Sequence, residues 1–192
     1  MDTVSGALDQ AATVEVFTRT MPKTTGARVR YLLAQEHNPN RAAAARAVAA
    51  RLGVTQRTVE RWRDGLRKTP PPALAQAIAE EVRQRWQPKV RQRAIDAARA
   101  NGITVAIRGT FGYTADTGTT DEARERRISR QLGPDHAAVL LDLLQDNAPE
   151  HQLRQALADA LRADYFQDGG RRAHQLTAVE LTSISSVQLR LG

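Results

Sequence analysis

The sequence predicts a mainly α-helical protein with a small β element. Apolar residues recur at helical spacing in several runs that end at Pro or Gly. One segment, residues 103–113, instead alternates as a strand does and is rich in Val, Ile, Thr and aromatic residues. Aromatic residues make up only 4% of a chain that is 41% hydrophobic, so Ala, Leu and Val must form most of the core.

The charge distribution divides the chain in two. Residues 1–108 contain 19 basic and 9 acidic residues, a net charge of +10, whereas residues 109–192 contain 9 and 12, a net charge of −3. Of the 28 basic residues 25 are Arg, whose guanidinium group matches the geometry of phosphate. This asymmetry indicates one surface for nucleic acid and a second surface for another partner.

Several classes of protein are excluded by composition. The chain has no Cys, which excludes disulfide scaffolds, zinc-thiolate sites and cysteine nucleophiles. No apolar stretch is long enough for a transmembrane helix, and the N-terminus lacks the apolar core of a signal peptide. We expect a cytoplasmic protein that holds no cofactor or metal of its own.

The N-terminal half is predicted to be helical after a short arm. Residues 1–23 have no strong pattern and are interpreted as loosely held. Five helices are then predicted, at about residues 24–37, 41–52, 55–66, 73–86 and 89–100. The Pro70-Pro71-Pro72 run predicts a stiff linker, because each Pro fixes φ and removes an amide donor.

Residues 44–62 have the spacing of a helix-turn-helix motif. Ala49 is small where two helices would cross closely, and Gly53 can adopt the left-handed conformation of the turn. The apolar positions predicted to face inward are Val48, Leu52, Val54, Val59 and Trp62. An ordinary helical hairpin with a solvated basic face is the alternative.

The second helix of this motif carries the predicted DNA-binding residues, which are Thr55, Gln56, Arg57, Arg61 and Arg63. Arg and Gln side chains can bind guanine and adenine in the major groove, whereas Thr55 at the helix start suits a phosphate. Arg63 lies further along and is expected to contact the DNA backbone rather than bases.

The C-terminal half is predicted to begin with the strand at 103–113. Thr119 and Glu122 have capping-box spacing and predict the start of a helix. Three helices are predicted in this half. The first covers about residues 119–132, the second begins at Pro134, and the third runs from residue 149 to residue 166. The last residues, 179–191, alternate weakly, and the sequence leaves open whether they pair with the strand.

A cluster of hydroxyl groups follows the predicted strand. Five Thr and one Tyr lie among the eleven residues from 110 to 120. Such hydroxyls can bond their own backbone at strand edges and turns. No His lies close in sequence, so no hydrolytic triad is visible. A hydroxyl on an exposed turn can still be the acceptor in another enzyme's active site, where the partner supplies metal and base.

Four arginines are close together in the sequence after the hydroxyl cluster. They lie within two turns of the helix predicted at 119–132 and are Arg124, Arg126, Arg127 and Arg130. They form either a solvated face, with the acidic residues between them as partners, or a phosphate contact near the hydroxyl cluster.

Six segments carry a resemblance to a known family. They are KTTGARVRYL at 23–32, QRTVER at 56–61, EVRQRWQP at 81–88, FGYTA at 111–115, GTTDEAR at 118–124 and YFQDGGRRAH at 165–174. In this order they resemble the telomere terminal proteins of linear Streptomyces replicons, which are bound covalently to 5′ DNA ends. The resemblance covers most of the chain and is weakest in the N-terminal arm and in the last dozen residues.

The resemblance implies that DNA is joined to the hydroxyl of Thr114. This hydroxyl would attack the α-phosphorus of a deoxynucleoside triphosphate held by a DNA polymerase, and the free 3′-OH would prime synthesis at the single-stranded chromosome end. Gly112 is expected to give the segment room to enter the polymerase, and Arg108 to steer phosphate. The rival hydroxyls that stay open are Tyr113, Thr110 and Thr117.

The resemblance also implies a protein primer rather than an enzyme, deoxynucleotidylated by a polymerase that holds the divalent metal. The implied partners are telomeric DNA, a DNA polymerase and a telomere-associated protein, with a homo-oligomer left open and no membrane. The implied location is the nucleoid. The predicted domains are an arm at 1–23, a helix-turn-helix domain at 24–68, a linker and helical connector at 69–101, and a priming and partner region at 102–192.

Two other functions fit the residues without the resemblance. A helix-turn-helix transcriptional regulator would use its C-terminal half to dimerise or to bind a ligand. A recombinase accessory protein would share the motif, although no Ser or Tyr catalytic constellation is recognisable. A primer forms a bond to DNA that survives denaturation, whereas a regulator binds a duplex reversibly and with strong salt dependence.

Overall fold

The computed structural model describes residues 2–115, 120–171 and 173–192. Within them the helices are α1 (Val4–Ala12), α2 (Thr25–Gln35), α3 (Arg41–Arg51), α4 (Gln56–Arg63), α5 (Pro72–Arg85), α6 (Pro88–Asn101), α7 (Pro134–Gln145) and α8 (Glu150–Leu161), with a π-helical turn at Arg162–Phe166. The strands are β1 (Ile103–Ala115), β2 (Thr120–Leu132) and β3 (Leu176–Leu191). The prediction of a mainly helical chain with a smaller β component is confirmed.

Local signals account for the ends of the helices in the N-terminal half. The side chain of Asn40 accepts hydrogen bonds from the amides of Ala42 and Ala43, at 3.0 and 3.1 Å, and so begins α3. Thr24 and Thr55 cap α2 and α4 in the same way. These helices lie close to their predicted positions because caps and breakers act within a few residues.

The chain divides into two units, which we call the basic unit and the sheet unit. The basic unit is Phe17–Pro88, and the sheet unit combines Met1–Val16 with Lys89–Gly192. In the basic unit, α2 to α5 surround a hydrophobic cluster that includes the fully buried Trp62. The sheet unit has a hydrophobic cluster of its own, so each unit has an independent source of apolar burial.

The sheet is antiparallel in the order β2-β1-β3. In the central strand β1, the alternate residues Ile103, Val105 and Ile107 are buried in a cluster that also contains side chains of α1, α7 and α8. The positions between them, such as Ala106 and Arg108, are exposed. The helices therefore cover one face of the sheet, and the other face, which we call the outer face, is polar.

The helix predicted at 119–132 is wrong, because these residues form β2. Ile128 and Leu132 are the buried side chains of this segment. Because they are four residues apart they share a face in a helix, and because four is even they share a face in a strand as well. Pairing with β1 from Ile103 to Thr114, which places Ile128 opposite Ile107 and Leu132 opposite Ile103 in the core, decides for the strand. The predicted first residue, Thr119, lies outside the described residues.

The interpretation of the N-terminal arm as a loosely held segment is also wrong, because part of the arm forms the helix α1. Its residues Val4 and Leu8 are buried on α1 in the core of the sheet unit. The carboxylate of Glu150 accepts hydrogen bonds from the amides of Val4 and Ser5, at 2.8 and 3.0 Å. The first turn of α1 is thus held by a residue of α8, far away in sequence, which no local pattern can indicate.

The C-terminal tail, whose pairing the sequence left open, forms β3 along the full length of β1. Hydroxyl groups of β3 reinforce this pairing, because Thr177 and Thr182 donate to the backbone carbonyls of Thr114 and Thr110, at 3.0 and 3.1 Å. None of the described helices is both long and apolar enough to cross a bilayer.

Candidate functional site

The first candidate site is the pair of helices α3 and α4 and the turn between them. Gly53 has a φ of 64°, the left-handed conformation that the sequence predicts for it. The amide of Val54 returns to the carbonyl of Ala49 at 3.0 Å, which closes the turn. Ala49 is 3% exposed, in keeping with its small size at the close approach of two helices.

The apolar positions of this motif face inward as predicted. Val48, Leu52, Val59 and Trp62 are buried, and Val54 packs against the same cluster. With these residues inside, α4 presents its remaining side chains to the solvent.

The predicted DNA-binding residues differ in whether their side chains already form hydrogen bonds within the protein. The Thr55 hydroxyl is already bonded to the Thr58 hydroxyl at 2.9 Å and accepts from its amide at 3.3 Å. The side-chain amide of Gln56 donates to Glu60 at 2.8 Å. Within the described part of the chain, the exposed side chains of Arg57 and Arg61 have no hydrogen bond or ion pair. They are therefore the two residues of the set that are free to bind a ligand.

Arg63, in contrast, forms an ion pair with the adjacent Asp64. Its guanidinium donates two hydrogen bonds to the carboxylate of Asp64, at 2.7 and 2.9 Å. This pairing raises the pKa of Arg63 and lowers the pKa of Asp64. A backbone phosphate would have to displace Asp64 to use both of these donors.

The charge of the basic unit is more uneven than the sequence halves indicate. Residues 17–88 contain 14 basic and 5 acidic residues, a net charge of +9. The sheet unit contains 14 basic and 16 acidic residues, a net charge of −2. The helix pair therefore lies in the part of the molecule with the strongest attraction for a polyanion.

The second candidate site is the described part of the hydroxyl cluster on β1, toward the end of that strand at Ala115. Thr114 is exposed there and is paired in register with Thr120 on one side and Ala178 on the other. Its backbone carbonyl accepts a hydrogen bond from the hydroxyl of Thr177 on β3, at 3.0 Å. The position combines an accessible hydroxyl with a small neighbour on β3.

Two of the rival hydroxyls, those of Tyr113 and Thr110, are less accessible than that of Thr114. The ring of Tyr113 packs edge-on against Phe166, with 5.1 Å between centroids, and Arg126 lies 5.3 Å from its centre on the other side. The hydroxyl oxygen of Tyr113 is buried. Thr110 is half-buried, and its hydroxyl accepts from Ser183 at 2.9 Å. Thr117 lies outside the described residues.

Arg108, which is expected from the sequence to steer phosphate, lies on the same strand as Thr114 but far from it. Thr114 is the sixth residue after Arg108 along β1, which corresponds to about 20 Å at roughly 3.3 Å per residue. The Arg108 guanidinium donates to Glu125 at 3.0 and 2.9 Å, which raises the pKa of Arg108 and lowers the pKa of Glu125. Its expected steering role is therefore not supported by position or by charge.

The arginines of β2 are distributed differently from the cluster that a helix would form. Arg126 contacts Tyr113 on the helix-covered side, and Arg130 pairs with Asp168 at 3.0 Å. Arg127 lies across from Arg108 on the outer face. Arg124, Arg126 and Arg130 occupy alternate positions of β2 on the face that Ile128 shares, so only Arg127 is separated from the other three.

The described residues contain no group of three or more His, Asp or Glu side chains placed to hold a metal ion. No protein-family profile, curated protein or solved structure matches the chain.

Proposed function

We propose that this chain is a protein primer and covalent cap for the 5′ ends of linear DNA. The hydroxyl oxygen of Thr114 attacks the α-phosphorus of a deoxynucleoside triphosphate, and pyrophosphate leaves. The hydroxyl proton passes to a base of the partner polymerase, which also supplies the divalent metal. The product is a phosphodiester between Thr114 and a nucleotide whose 3′-OH primes synthesis.

One observation carries this proposal, namely the contrast in accessibility between Thr114 and its neighbours in the hydroxyl cluster. An acceptor must enter another protein's active site, and reacting atoms have to come within about 3.5 Å of each other. An exposed hydroxyl near the end of β1 satisfies this requirement. A buried Tyr113 hydroxyl and a Thr110 hydroxyl bonded to Ser183 do not satisfy it without rearrangement.

The helix pair supplies the second half of the proposed function, which is recognition of duplex DNA next to the end. Here α4 is the recognition helix of a helix-turn-helix domain, with Arg57 and Arg61 directed to the DNA. Their exposure and lack of internal partners support this role. The same observation equally favours the second candidate function, a DNA-binding transcriptional regulator, so the test must separate the two.

The test is transfer of label to the protein. The purified chain is incubated with cell extract, a telomeric template and deoxynucleotides labelled at the α-phosphate, and then denatured. Wild type and Thr114→Ser are expected to retain label, because both carry a hydroxyl, and Thr114→Ala is expected to lose it. Tyr113→Phe and Thr117→Ala serve as matched controls that should label as wild type does.

Two outcomes contradict the proposal in different ways. Equal labelling of Thr114→Ala shows that another residue is the acceptor. Absence of label on the wild type, in an extract that labels a known terminal protein, contradicts priming itself. Reversible DNA binding in that case identifies the chain as a regulator.

A further inference from the structure

The outer face of the sheet contains a cavity of about 660 Å³ around Ala106. Ala106 is exposed on β1 and pairs in register with Ser129 on β2 and with Gln188 on β3. Because its side chain is a single methyl group, the longer side chains on both sides rise above it. Arg127 and Ser186 also line this cavity, which we call the outer-face depression.

The polar side chains of the depression are available to a ligand. Ser129, Ser186 and Gln188 are exposed, and their side chains have no hydrogen bond within the described part of the chain. Arg127 is also exposed and has neither a hydrogen bond nor an ion pair there. A ligand can therefore bind these four side chains without breaking a bond inside the protein.

The charge of Arg127 indicates that such a ligand is an anion. Arg127 lies directly opposite Arg108 in the register of β1 and β2. Like charges at directly opposed positions destabilise an antiparallel pair, because their Cβ atoms are only about 5 Å apart. Glu125 balances Arg108 through bonds at 3.0 and 2.9 Å. Among the described residues no carboxylate pairs with Arg127, so an anion would supply its missing counter-charge.

A second cation lies on the same face, on the other outer strand. Arg190 on β3 is paired with Thr104, two residues before Ala106 on β1. It is exposed and forms no ion pair within the described ranges, although Asp2 and Glu15 line a neighbouring groove with it.

The positions of the two cations suit an extended anion. Arg127 and Arg190 are two strand spacings apart across the sheet, about 10 Å, and four residues apart along it, about 13 Å. An anion that crosses the depression diagonally would contact both of them, and successive phosphates of one nucleic-acid strand form an anion of this kind.

The residue types of the outer face favour contact with phosphates rather than with bases. The three strands contain only two aromatic residues, Phe111 and Tyr113, and both pack on the helix-covered side. Sheet faces that bind the bases of single strands use aromatic rings for stacking. Arg, Ser and Gln side chains can instead bind phosphate oxygens, which carry no sequence information. We therefore expect binding that is independent of base sequence.

The depression shares its face of the sheet with the proposed acceptor. Thr114 and Arg108 are separated by an even number of positions on β1, so alternation places both on the outer face. Phe111 and Tyr113, at the positions of opposite parity, pack in the core as this alternation requires. A strand that begins at Thr114 can therefore continue over the outer face to the row of Arg127, about 20 Å along β1.

We infer that the outer face binds the phosphate backbone of a single DNA strand. Arg127 and Arg190 are the counter-charges, and the neutral donors are Ser129, Ser186 and Gln188. Non-covalent binding of a single strand to this face does not require priming. The identification of this strand as the one that begins at Thr114 rests on the proposed function.

The test uses the full-length chain labelled with nitrogen-15 and titrated with single-stranded oligothymidylate. The oligonucleotide is in excess, so that the basic unit is occupied as well. The backbone amide signals of Ala106, Ser129 and Gln188 are expected to shift saturably, whereas those of the buried Leu140 and Leu157 stay in place as the internal reference. Signals of the depression that do not move would overturn the inference.

A pair of double variants tests the two cations. Arg127→Gln with Arg190→Gln is expected to weaken the affinity measured at these signals at least about tenfold at 0.1 M salt, and to lower the salt slope by about 1.4, since each phosphate contact contributes about 0.7. Lys89→Gln with Arg93→Gln removes the same charge from exposed positions of α6 and should change the affinity less than about twofold. Equal effects of the two double variants would overturn the inference.

Two further arms separate this inference from the alternatives. A duplex of the same length should bind at least about fivefold more weakly at the signals of the depression, and equal or tighter binding of the duplex would overturn the assignment to a single strand. The Arg127→Gln, Arg190→Gln variant should still accept labelled nucleotide at Thr114. Shifted signals support the surface even if wild type takes up no label, whereas label without shifted signals supports priming and overturns the surface.

Discussion

The two units of the molecule differ in how they are built and in what they expose. The basic unit is one continuous stretch of helices with a net charge of +9, and Arg57 and Arg61 on its α4 have no ion-pair partner among the described residues. The sheet unit joins distant parts of the chain, has a net charge of −2, and engages many of its charged side chains with each other. The proposed DNA-binding surface and the proposed acceptor Thr114 therefore lie in different units of the chain.

The largest expected effect tests whether the two hydrophobic clusters are energetically separate. Phe111 is fully buried in the sheet unit, so Phe111→Ala should lower the free energy of unfolding of that unit by about 3–5 kcal/mol. Both Trp residues lie in the basic unit, so urea unfolding followed by Trp fluorescence should keep its midpoint while far-UV circular dichroism shows an earlier transition.

The control for this variant is Val139→Ala, because Val139 is 51% exposed and its truncation should change stability by less than about 0.5 kcal/mol. An equal shift of both signals in Phe111→Ala would mean that the units unfold as one cooperative structure.

The next effect concerns function in the two units. Arg57→Ala is expected to weaken binding to duplex DNA by about 1–3 kcal/mol and to leave transfer of label to Thr114 in place. Binding is measured as a function of salt, where the loss of a phosphate contact instead lowers the slope by about one unit. Arg93→Ala removes an exposed cation of the sheet unit and should leave both properties unchanged. Loss of binding and transfer together would contradict the separation of the two surfaces.

A smaller effect is expected where the sheet unit closes on its N-terminus. Glu150→Ala removes the acceptor for the amides of Val4 and Ser5 and should cost about 0.5–2 kcal/mol, as the loss of a helix cap does. Hydrogen exchange should become faster in α1 and remain unchanged in the basic unit. Glu180→Ala, at an exposed position of β3, is the matched control, and unchanged exchange in α1 would show that Glu150 does not hold it.

The smallest effect is a pH dependence within the basic unit. The Arg51 guanidinium donates to the carboxylate of Glu36 at 2.5 Å and holds the pKa of that carboxyl below its ordinary value of 4.5. A carboxyl with a lowered pKa stabilises the folded state above pH 4.5, and this contribution disappears as the pH falls through the pKa of the folded state.

This partly exposed pair is worth less than about 1 kcal/mol. Glu36→Gln should flatten the acid side of the stability profile measured by Trp fluorescence, whereas Glu180→Gln should leave it unchanged. An unaltered profile in Glu36→Gln would show that the pair does not contribute to acid sensitivity.

The basic unit was predictable from the sequence because its signals are local. Thr24, Asn40 and Thr55 cap helices within three residues of themselves, and the turn at Gly53 needs no distant contact. The inward positions of α3 and α4 follow from helical spacing alone. The ion pair between Arg63 and Asp64 was not predicted, because the adjacency of two opposite charges in sequence does not show that their side chains bond to each other.

Of the three strands of the sheet unit, the sequence predicted only β1, because only β1 has a strong alternation of its own. The alternation of β1 is strong, but β2 has the composition of a helix and two apolar residues at a spacing that suits both structures. The segment that ties α1 to α8 is invisible to any local pattern, because Val4 and Glu150 are 146 residues apart. Among the described hydroxyls of the cluster, the sheet distinguishes Tyr113 by burying it against Phe166, and it distinguishes Thr110 by a hydrogen bond from Ser183 on β3.

The residues alone determined the helical half, its turn, its charge and the presence of a hydroxyl cluster after a strand, because caps, spacing and composition act over short distances. Tertiary structure decided that residues 120–132 form a strand, that the N-terminal segment packs as a helix, and that the Tyr113 hydroxyl is buried while Thr114 is exposed. These outcomes depend on hydrogen bonds and apolar burial between segments far apart in the chain, whose free energies exceed local preferences and are settled only when the segments meet.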